Sequence, residues 1–415
     1  MAEAWIIDAA RTPRGIGKAG KGSLADVHPQ RILSSVLKEL AERNSLATED
    51  IDDVIAGCGS QVGRQGACIA RMSALDAGYS ERATGFSLDR FCGSGLTSVS
   101  LGAMGIMSGM QNLIVAGGVE SMSYAGTYGR EAGGERMPTL DRNNLHLRDL
   151  HPQPHQGICA DLIGTLEGIT RLETEEHAVE SQIRADNAIR QGYFDKSLVP
   201  VLHDDGSVAL DHEEFPRPQT TLEGLAALKP SFEAMYEYPF DDEGASYKSL
   251  VQKVYPDIEI NHIHHAGNSS GVVDGAGALV LASPDYARAH GLKPRAKIIC
   301  TTADGDSPTT MLNAPVPAAR KALDMAGLTT DDIDLWEINE AFAVVSLRFM
   351  RMLDLDYAKV NVNGGAMALG HPIGATGAII LGTLLDELER RDLHRGLATM
   401  CTGGGMAPAI IIERM

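Results

Sequence analysis

The chain has 415 residues, 44% of them hydrophobic, and a formal net charge of −19. Two or three domains with an ample core fit this length, and the charge argues against nucleic acid or an anionic membrane as a partner. The six cysteines form no Cys-x-x-Cys pair, which argues against a zinc module or disulfide framework and favours a reducing, cytoplasmic location. No signal peptide or transmembrane segment is recognised.

The first part of the chain alternates predicted strands and helices. Residues 4–10 are predicted to form a strand, 29–41 a helix with one apolar face, and 46–57 a helical turn that leads into a short strand. A helix of small residues beginning at Ser94 and a buried strand over 112–118 follow. This alternation is typical of an α/β protein in which helices cover the sheets.

Residues 121–272 change character, and the chain beyond them repeats the first part. The middle segment is rich in Pro, His and charged residues, contains a predicted helix at about 157–192, and is interpreted as an inserted domain. After a predicted strand over 276–282, residues 328–334 match residues 46–52 at an offset of 282. An ordered repeat of this kind predicts two duplicated, mostly parallel α/β halves.

The second half is predicted to contain a strand over 296–300, a helix over 317–326, and a strand over 335–338. The Gly-rich loop 370–377 precedes another helix of small residues, as the turn before Ser94 does. Functional loops of such folds gather at the carboxyl ends of strands. We therefore expect four residues to meet there: Cys92, Asn339, His371 and Cys401.

Cys92 is a candidate nucleophile because it lies at the start of the predicted helix. The free N–H groups and the dipole of a helix N-terminus favour an anion, so the thiol should be more easily held as a thiolate. Gly93 and Gly95 allow a tight turn and the close approach of a substrate. The alternative is a buried structural cysteine.

His371, Cys401 and Asn339 each have a structural and a functional interpretation. His371 is either a structural histidine or a base that generates a thiolate. Cys401 is either a core cysteine or a second thiol, followed by Gly403-Gly-Gly405, whose N–H groups can bind a reacting oxygen. Asn339 is either a helix cap or part of an oxyanion hole. Two thiols and one histidine fit Claisen chemistry on thioesters.

Five motifs follow one another along the chain: Arg90-Phe-Cys-Gly-Ser-Gly95, Gly267-Asn-Ser-Ser-Gly271, Asn339-Glu-Ala-Phe342, Gly370-His-Pro-Ile-Gly-Ala-Thr-Gly377 and Cys401-Thr-Gly-Gly-Gly405. With these motifs in the family order, the chain resembles the thiolases, a family of acyl-CoA C-acyltransferases. The resemblance implies an α/β thiolase fold, with mixed sheets in a layered α-β-α-β-α arrangement. It also implies an N-terminal domain (1–120 with 273–293), a loop domain that binds CoA and substrate (121–272), and a C-terminal domain (294–415).

Carried over by position, the resemblance implies a role for each catalytic candidate. Cys92 resembles the acylated nucleophile, and His371 resembles its base and a donor to the enolate oxygen. Cys401 resembles the acid and base at the α-carbon. Asn339 resembles the residue that holds an oxyanion-hole water, while the N–H groups of Cys92 and Gly403 resemble a second hole.

Four further residues are candidates for CoA or substrate contacts. Ser270 resembles a pantetheine contact, and His155 and Met311 resemble residues that line the acyl pocket. Arg217 is a candidate for the nucleotide end of CoA, with a solvated loop arginine as the alternative.

The implied activity is reversible thiolysis of a 3-oxoacyl-CoA to acetyl-CoA and a shortened acyl-CoA, in fatty-acid or related acyl-CoA degradation. CoA is then a co-substrate, with no permanently bound cofactor and no metal, and the family implies a homodimer or homotetramer. The alternatives are a ketosynthase-like condensing enzyme and a non-catalytic acyl-CoA-binding scaffold. Direction, acyl chain length and association with a hydratase–dehydrogenase subunit stay open.

Some stretches depart from the family pattern without removing a catalytic group. Asp89 stands where relatives usually have Asn, Gln156 where many have Met, and Asn313-Ala314 replaces a Gly-containing turn. The last motif ends in Gly405-Met-Ala-Pro. Three histidines precede Gly267 and are interpreted as loop residues on the CoA side, with a metal site as the less favoured alternative: His262, His264 and His265.

Residues 233–260 exceed the usual length of this part of a thiolase. Four tyrosines and a phenylalanine favour an ordered excursion over a flexible linker. A short helix is predicted over 247–254, with Leu250, Val251 and Val254 facing inward. The hypothesis is that the excursion packs over the mouth of the acyl or pantetheine channel, or at a subunit contact; the alternative is surface decoration.

Overall fold

The computed structural model describes residues 3–131, 139–241 and 243–415. Its strands are β1 (Trp5–Arg11), β2 (Gly15–Ile16), β3 (Asp53–Gly57), β4 (Gly85–Leu88), β5 (Leu113–Ser121), β6 (Val201–Leu202), β7 (Val208–Leu210), β8 (Val273–Ala282), β9 (Ala296–Gly305), β10 (Leu335–Ile338), β11 (Arg395–Thr399) and β12 (Met406–Arg414).

The helices alternate with these strands and cluster in the middle segment. They are α1 (Pro29–Arg43), α2 (Ile69–Asp76), α3 (Ser94–Met107), α4 (Met122–Glu131), α5 (Leu145–Leu150), α6 (Gln156–Leu166), α7 (Arg171–Arg190), α8 (Leu222–Ala226), α9 (Glu233–Tyr236), α10 (Tyr247–Gln252), α11 (Pro284–Ala289), α12 (Pro315–Ala326), α13 (Ala343–Leu353), α14 (Ala366–Leu369) and α15 (Thr376–Arg390). Within the described ranges, none of these helices is long and apolar enough to cross a membrane.

One mixed sheet of ten strands connects the two halves, in the order β10-β11-β12-β9-β1-β8-β5-β3-β4, with β2 attached to β8. The join is the short antiparallel pair β1–β9, in which Trp5 lies opposite Lys297 and Ile6 opposite Ala296. Strand β8 pairs with both β1 and β5, so a strand that follows the middle segment in the chain lies inside the first half.

Three buried clusters give the layered arrangement that the family resemblance implies. One packs α1 and α2 on the outer face of the first half, and another packs α12 and α13 on the outer face of the second half. The third lies between the two half-sheets around α3 and α15, with Leu96 and Leu381 both fully buried. The order helix, sheet, helix, sheet, helix is therefore confirmed.

The predicted duplication is visible in matching hydrogen bonds. Asp52 accepts from the N–H groups of residues 112 and 113, at 2.6 and 3.2 Å. Asp334 accepts from the N–H groups of residues 394 and 395, both at 2.9 Å. Asp52 thus joins the start of β3 to the start of β5, and Asp334 joins the start of β10 to the start of β11. The offset of 282 residues relates the two carboxylates and also the N–H groups that they bind. The boundaries of the three domains stay a prediction.

The single helix predicted at about 157–192 is wrong, because the chain breaks into α6 and α7. Gly168 adopts a left-handed backbone, with φ at +62°, which ends the first helix. Thr170 then begins α7 with a capping box, in which its hydroxyl accepts from the N–H of Glu173 and the Glu173 carboxylate accepts from the N–H of Thr170.

The described residues of the excursion at 233–260 include two short helices, α9 and α10. Ser246 caps α10 by accepting from the N–H of Ser249 at 3.2 Å. Leu250 and Val251 are buried as predicted, but Val254 is 44% exposed because the helix ends at Gln252. The short helix predicted over 247–254 is therefore confirmed in its position and wrong in its last inward residue.

Candidate active site

Cys92 lies in a strained turn at the start of α3. The preceding residue, Phe91, has φ at +48°, a left-handed conformation that costs a bulky residue about 1–3 kcal/mol. Ser94 holds the turn closed: its hydroxyl accepts from the N–H of Arg90 at 2.8 Å and donates to the carbonyl of Phe91 at 2.6 Å. The turn therefore fixes Cys92 just before the helix, where the sequence predicts it.

The turns that carry the two candidate thiols are in direct contact. A Cβ added to Gly93 would lie 2.4 Å from Cγ2 of Thr402, and one added to Gly403 would lie 3.0 Å from the ring of Phe91. Glycine is needed at these two positions because the segments approach so closely.

The His371 loop packs against the same helix start. A Cβ added to Gly95 would lie 2.7 Å from the carbonyl oxygen of Gly374. The fold thus brings the loops of Cys92, His371 and Cys401 together at one place.

His371 is positioned to act as a base. Its Nδ1 lies 2.6 Å from the hydroxyl of Thr376, which itself donates to the carbonyl of Pro372 at 2.9 Å. The hydroxyl must therefore accept from an Nδ1–H, which leaves the lone pair on Nε2. This Nε2 is buried and has no partner among the described residues. Burial, and then the charge of Arg14, lower the pKa of the imidazole to about 4, so it is neutral near pH 7.

The pKa values of both thiols are raised. Burial raises the pKa of Cys92 to about 12, with further contributions from the charges of Glu120 and Asp89. This direction is opposite to the expected easily formed thiolate, because burial disfavours the charged form. Cys401 is 1% exposed, and its pKa is also raised, by burial and then by the neighbouring Cys92. Cys92 consequently needs a base such as His371.

Asn339 presents a buried, unpartnered amide. The residue is 2% exposed, and neither its Oδ1 nor its Nδ2 has a partner in the described part of the chain. Its backbone is held by a bond from its N–H to the carbonyl of Thr399 at 3.2 Å. The helix-cap alternative is wrong, since α13 begins at Ala343 and its N-cap residue is Phe342. A buried amide without a partner points to a bound water or substrate oxygen.

A cavity of about 670 Å³ lies beside these loops and contains Ser270, Arg217, Lys18 and Phe232 in its wall. Its wall is bonded to the loops of Asn339 and His371. The N–H of Ser270 donates to the carbonyl of Ala341 at 2.9 Å, and the N–H of His371 donates to the carbonyl of Gly271 at 2.8 Å.

Lys18 and Arg217 are both exposed at this cavity, and neither forms an ion pair with another described residue. Arg217 holds its guanidinium 5.4 Å from the ring of Phe215. In a chain of net charge −19, two unpaired cations at one cavity suit a phosphate-bearing ligand. Arg217 was selected from the sequence, whereas Lys18 was missed because it follows Ile16-Gly17 without any motif of its own.

Met311 and His155 flank the site from the other side. Met311 is 3% exposed, has φ at +54°, and packs in the same cluster as Cys401 and Phe342. His155 caps α6, accepting from the N–H of Gly157 at 3.1 Å, and its ring lies 5.5 Å from that of Phe232. His155 is thus one ring removed from the cavity wall.

The three histidines before Gly267 are each bonded to a carboxylate. His262 and His264 both contact Asp161, at 2.7 and 2.8 Å, and His265 contacts Glu175 at 3.1 Å. Among the residues that the structure describes, no group of three His, Cys, Asp or Glu is placed to hold a metal ion.

Glu120 is a site residue that sequence reasoning missed. Its side chain is fully buried, and one carboxylate oxygen accepts from the N–H of Gly59 at 2.8 Å and from that of Gly374 at 2.9 Å. Gly374 belongs to the His371 loop, so this carboxylate ties the loop to the first half. The available signal was a lone charged residue inside the otherwise uncharged strand β5.

Comparison with known proteins agrees with this geometry. Residues 4–235 match the family model for the thiolase N-terminal domain, and residues 292–414 match the thiolase C-terminal domain. The chain is 40% identical to the steroid 3-ketoacyl-CoA thiolase FadA6 of Mycobacterium tuberculosis, over 100% of this chain and 95% of that protein. It is 39% identical to an acetyl-CoA acetyltransferase of Syntrophomonas wolfei, over 100% and 99%.

A solved structure has the same fold as this chain. Human mitochondrial 3-ketoacyl-CoA thiolase in complex with CoA superposes with a TM-score of 0.83 at 32% identity, over 100% of this chain and 98% of that one. The family models, the curated relatives and the solved structure all match this chain as thiolases. The chain therefore belongs to the thiolase family of acyltransferases.

Proposed function

We propose that the protein catalyses the CoA-dependent thiolysis of 3-oxoacyl-CoA in acyl-CoA degradation, releasing acetyl-CoA and a shortened acyl-CoA. The observation that carries this proposal is geometric: Nε2 of His371 is buried without a partner among the described residues, on a loop that adjoins the contacting turns of two thiols, Cys92 and Cys401. A neutral base beside a neutral thiol can form the thiolate at the moment of attack.

The proposed first step cleaves the substrate. Nε2 of His371 takes the proton of Cys92 while its sulfur attacks the 3-oxo carbon. The bond between C2 and C3 then breaks, leaving the acyl group on Cys92 and the enolate of acetyl-CoA. Cys401 gives its proton to C2 of this enolate, whose oxygen is stabilised by His371 and by a water held at Asn339.

The second step frees the acyl group. The thiolate of Cys401 takes the proton of an incoming CoA thiol, and the CoA sulfur attacks the acyl carbonyl. The N–H groups of Cys92 and Gly403 stabilise the oxyanion. Its collapse releases the shortened acyl-CoA and the thiolate of Cys92, and the imidazolium of His371 returns its proton to that thiolate. Gly404 and Gly405 both have positive φ, near +77° and +78°, which supports a turn shaped to point such an N–H inward.

The cavity of Ser270 is the proposed CoA site, with Lys18 and Arg217 at the phosphates and no permanently bound cofactor. Six free cysteines support a reducing, cytoplasmic setting. An assembly of two or four copies is supported by apolar exposure near the sheet edge, where Phe86 on β4 is 39% exposed and Met104 is 49% exposed.

The test combines turnover with trapping of the acyl-enzyme. Wild-type protein should cleave acetoacetyl-CoA when CoA is added, and iodoacetamide should label Cys92 before the other cysteines. Given acetyl-CoA, Cys401→Ser should still acylate Cys92, seen by intact mass, because CoA can leave as a thiolate. It should lose thiolysis, because a hydroxyl holds its proton too tightly near neutral pH to serve the α-carbon.

Cys300→Ser is the matched control, since Cys300 is also a buried thiol but bonds the carbonyl of Ala322. It should keep normal turnover. Normal turnover in Cys401→Ser would refute the two-thiol mechanism. Acyl-CoA binding without acylation of Cys92 would instead favour the scaffold alternative.

A further inference from the structure

A buried carboxyl group, that of Glu337, precedes Asn339 by two residues on the same face of β10. The ladder between β10 and β11 continues as far as the N–H of Asn339. Trp336 and Ile338 pack in the outer cluster with α12 and α13, whereas Leu335 packs in the central cluster with α15. Because side chains alternate between the two faces of a strand, Glu337 and Asn339 share the central face with Leu335.

A small cavity lies at this face, between β10 and the start of α15. Its volume is about 20 Å³, which is room for one water molecule. Four polar side chains in its wall are each at most 5% exposed: Arg14, Glu337, Asn339 and Thr376. A small cavity with several polar groups in its wall is the usual setting of a buried water.

Glu337 and Asn339 are the two members of this wall that need a partner. Arg14 is already bound to Glu213, to which its backbone N–H donates at 2.8 Å and its Nη2 at 3.0 Å. The Glu337 carboxyl forms no hydrogen bond or ion pair with another described residue, and neither does the Asn339 amide. Alternate residues of a strand are about 7 Å apart, a spacing that one bridging water can span.

The surroundings of Glu337 favour its neutral form. Burial raises the pKa of this carboxyl well above its usual range, and the negative charges of Glu340 and Glu387 raise it further. The charge of Arg14 acts in the opposite direction, but Glu213 balances it. A neutral carboxyl has one O–H to donate and an oxygen to accept, so it can bind a water that in turn bonds either end of an amide.

Resting on the thiolase activity proposed above, we propose that Glu337 is a positioning residue: through one water in this cavity, its carboxyl group fixes the amide of Asn339 for stabilisation of the enolate. The hydroxyl of Thr376 gives the water a third polar neighbour. Because Thr376 bonds His371 directly at 2.6 Å, the imidazole keeps its position when Glu337 is replaced. Glu337 therefore serves the carbon–carbon step, and not the acylation of Cys92 by a simple thioester.

Two substrates that leave the same acetyl group on Cys92 separate this role from a structural one. Without added CoA, acetoacetyl-CoA acetylates Cys92 by cleavage between C2 and C3, which forms an enolate. Acetyl-CoA acetylates Cys92 without forming an enolate, and its oxyanion is bound by the N–H groups of Cys92 and Gly403. Both rates are measured by rapid quenching and intact mass.

Glu337→Met keeps the size of the side chain but cannot bind the water. Its rate with acetoacetyl-CoA should fall about 30-fold, while its rate with acetyl-CoA should stay within about threefold of the wild type. Glu337→Gln still donates and accepts, and should keep both rates within about threefold. Thr383→Val is the matched control, since Thr383 lies in the same wall but donates to the carbonyl of Ile379 at 3.0 Å. It should keep both wild-type rates.

A crystal structure of the wild type tests the water itself, and it decides the question even if Glu337→Met does not fold. It should show one water within about 3.2 Å of both Glu337 and Asn339. A cavity without this water would overturn the proposal. In Glu337→Met, an equal fall of the two rates or a wild-type rate with acetoacetyl-CoA would overturn it as well.

The same experiments keep the two proposals apart. A wild type that contains the water but acetylates Cys92 from neither substrate would refute the proposed function. The water-mediated contact between Glu337 and Asn339 would then still stand.

Discussion

Replacing Glu120 should separate the mechanical role of this carboxylate from its charge. In Glu120→Ala, the N–H groups of Gly59 and Gly374 lose the oxygen that both now contact. The buried N–H of Gly374 costs about 1–3 kcal/mol when unpaired, and the half-buried N–H of Gly59 costs less, so the free energy of unfolding should fall by about 2–4 kcal/mol. In Glu120→Gln, the amide oxygen can accept both bonds, and the loss should stay near about 1 kcal/mol.

The same pair of variants reports on the Cys92 thiol. The negative charge of Glu120 raises the pKa of Cys92, so Glu120→Gln should lower that pKa while the His371 loop stays in place. The rate of Cys92 alkylation by iodoacetamide, followed from pH 7 to 10, should then rise at lower pH than in the wild type. Glu120→Ala should also lose kcat, because the His371 loop loses its tether at Gly374.

Asp274→Asn is the control for this experiment, since Asp274 is a fully buried carboxylate that bonds Ser123 and is not among the charges acting on Cys92. It should leave the alkylation profile unchanged. Equal instability of Glu120→Gln and Glu120→Ala in urea unfolding would refute the tethering role of this carboxylate, and so would wild-type stability in both variants.

Three further predictions concern the loops and the cavity. Because the pKa of His371 is lowered to about 4, the base stays neutral as pH falls, and kcat/KM should stay level from pH 7 to about 5; a tenfold fall by pH 5.5 would contradict this. Lys18→Ala and Arg217→Ala should each raise the KM for CoA about fivefold at low salt, and should raise the KM for CoA lacking its 3′-phosphate by less. An equal rise in KM for the two forms of CoA would exclude a contact to that phosphate. Gly93→Ala should cut kcat about 100-fold, because its methyl group would lie 2.4 Å from Cγ2 of Thr402; wild-type kcat would show that the two turns can separate freely.

Regular, strongly patterned parts of the chain were predictable from the sequence. The apolar faces of α1 and α12, the buried strands and the offset between the halves all follow from local periodicity. The break at Gly168 was missed, because a helical pattern on both sides conceals a single left-handed residue. A stretch of 30 or more helical residues should have been suspected in a globular protein.

The same distinction between patterned and unpatterned residues applies to the candidate site. Residues inside motifs were found, and the fold brings their loops together. Glu120 was missed because its partner Gly374 lies 254 residues away in the chain. Lys18 was missed because the residues that share its cavity wall, such as Arg217 and Ser270, come from distant parts of the chain. The raised pKa of Cys92 could not be predicted from the sequence either, because it results from burial, and burial depends on the complete fold.

The position of β8 dictates when the first half can fold during synthesis. This strand lies between β1 and β5, so a nascent chain that ends before Val273 lacks an interior strand and leaves two rows of backbone groups without partners. The ribosome must therefore release the whole middle segment before this half can close. Translation pauses after Ala282 would favour correct folding, and a fragment such as 4–235, although it spans a family domain, would be prone to aggregation.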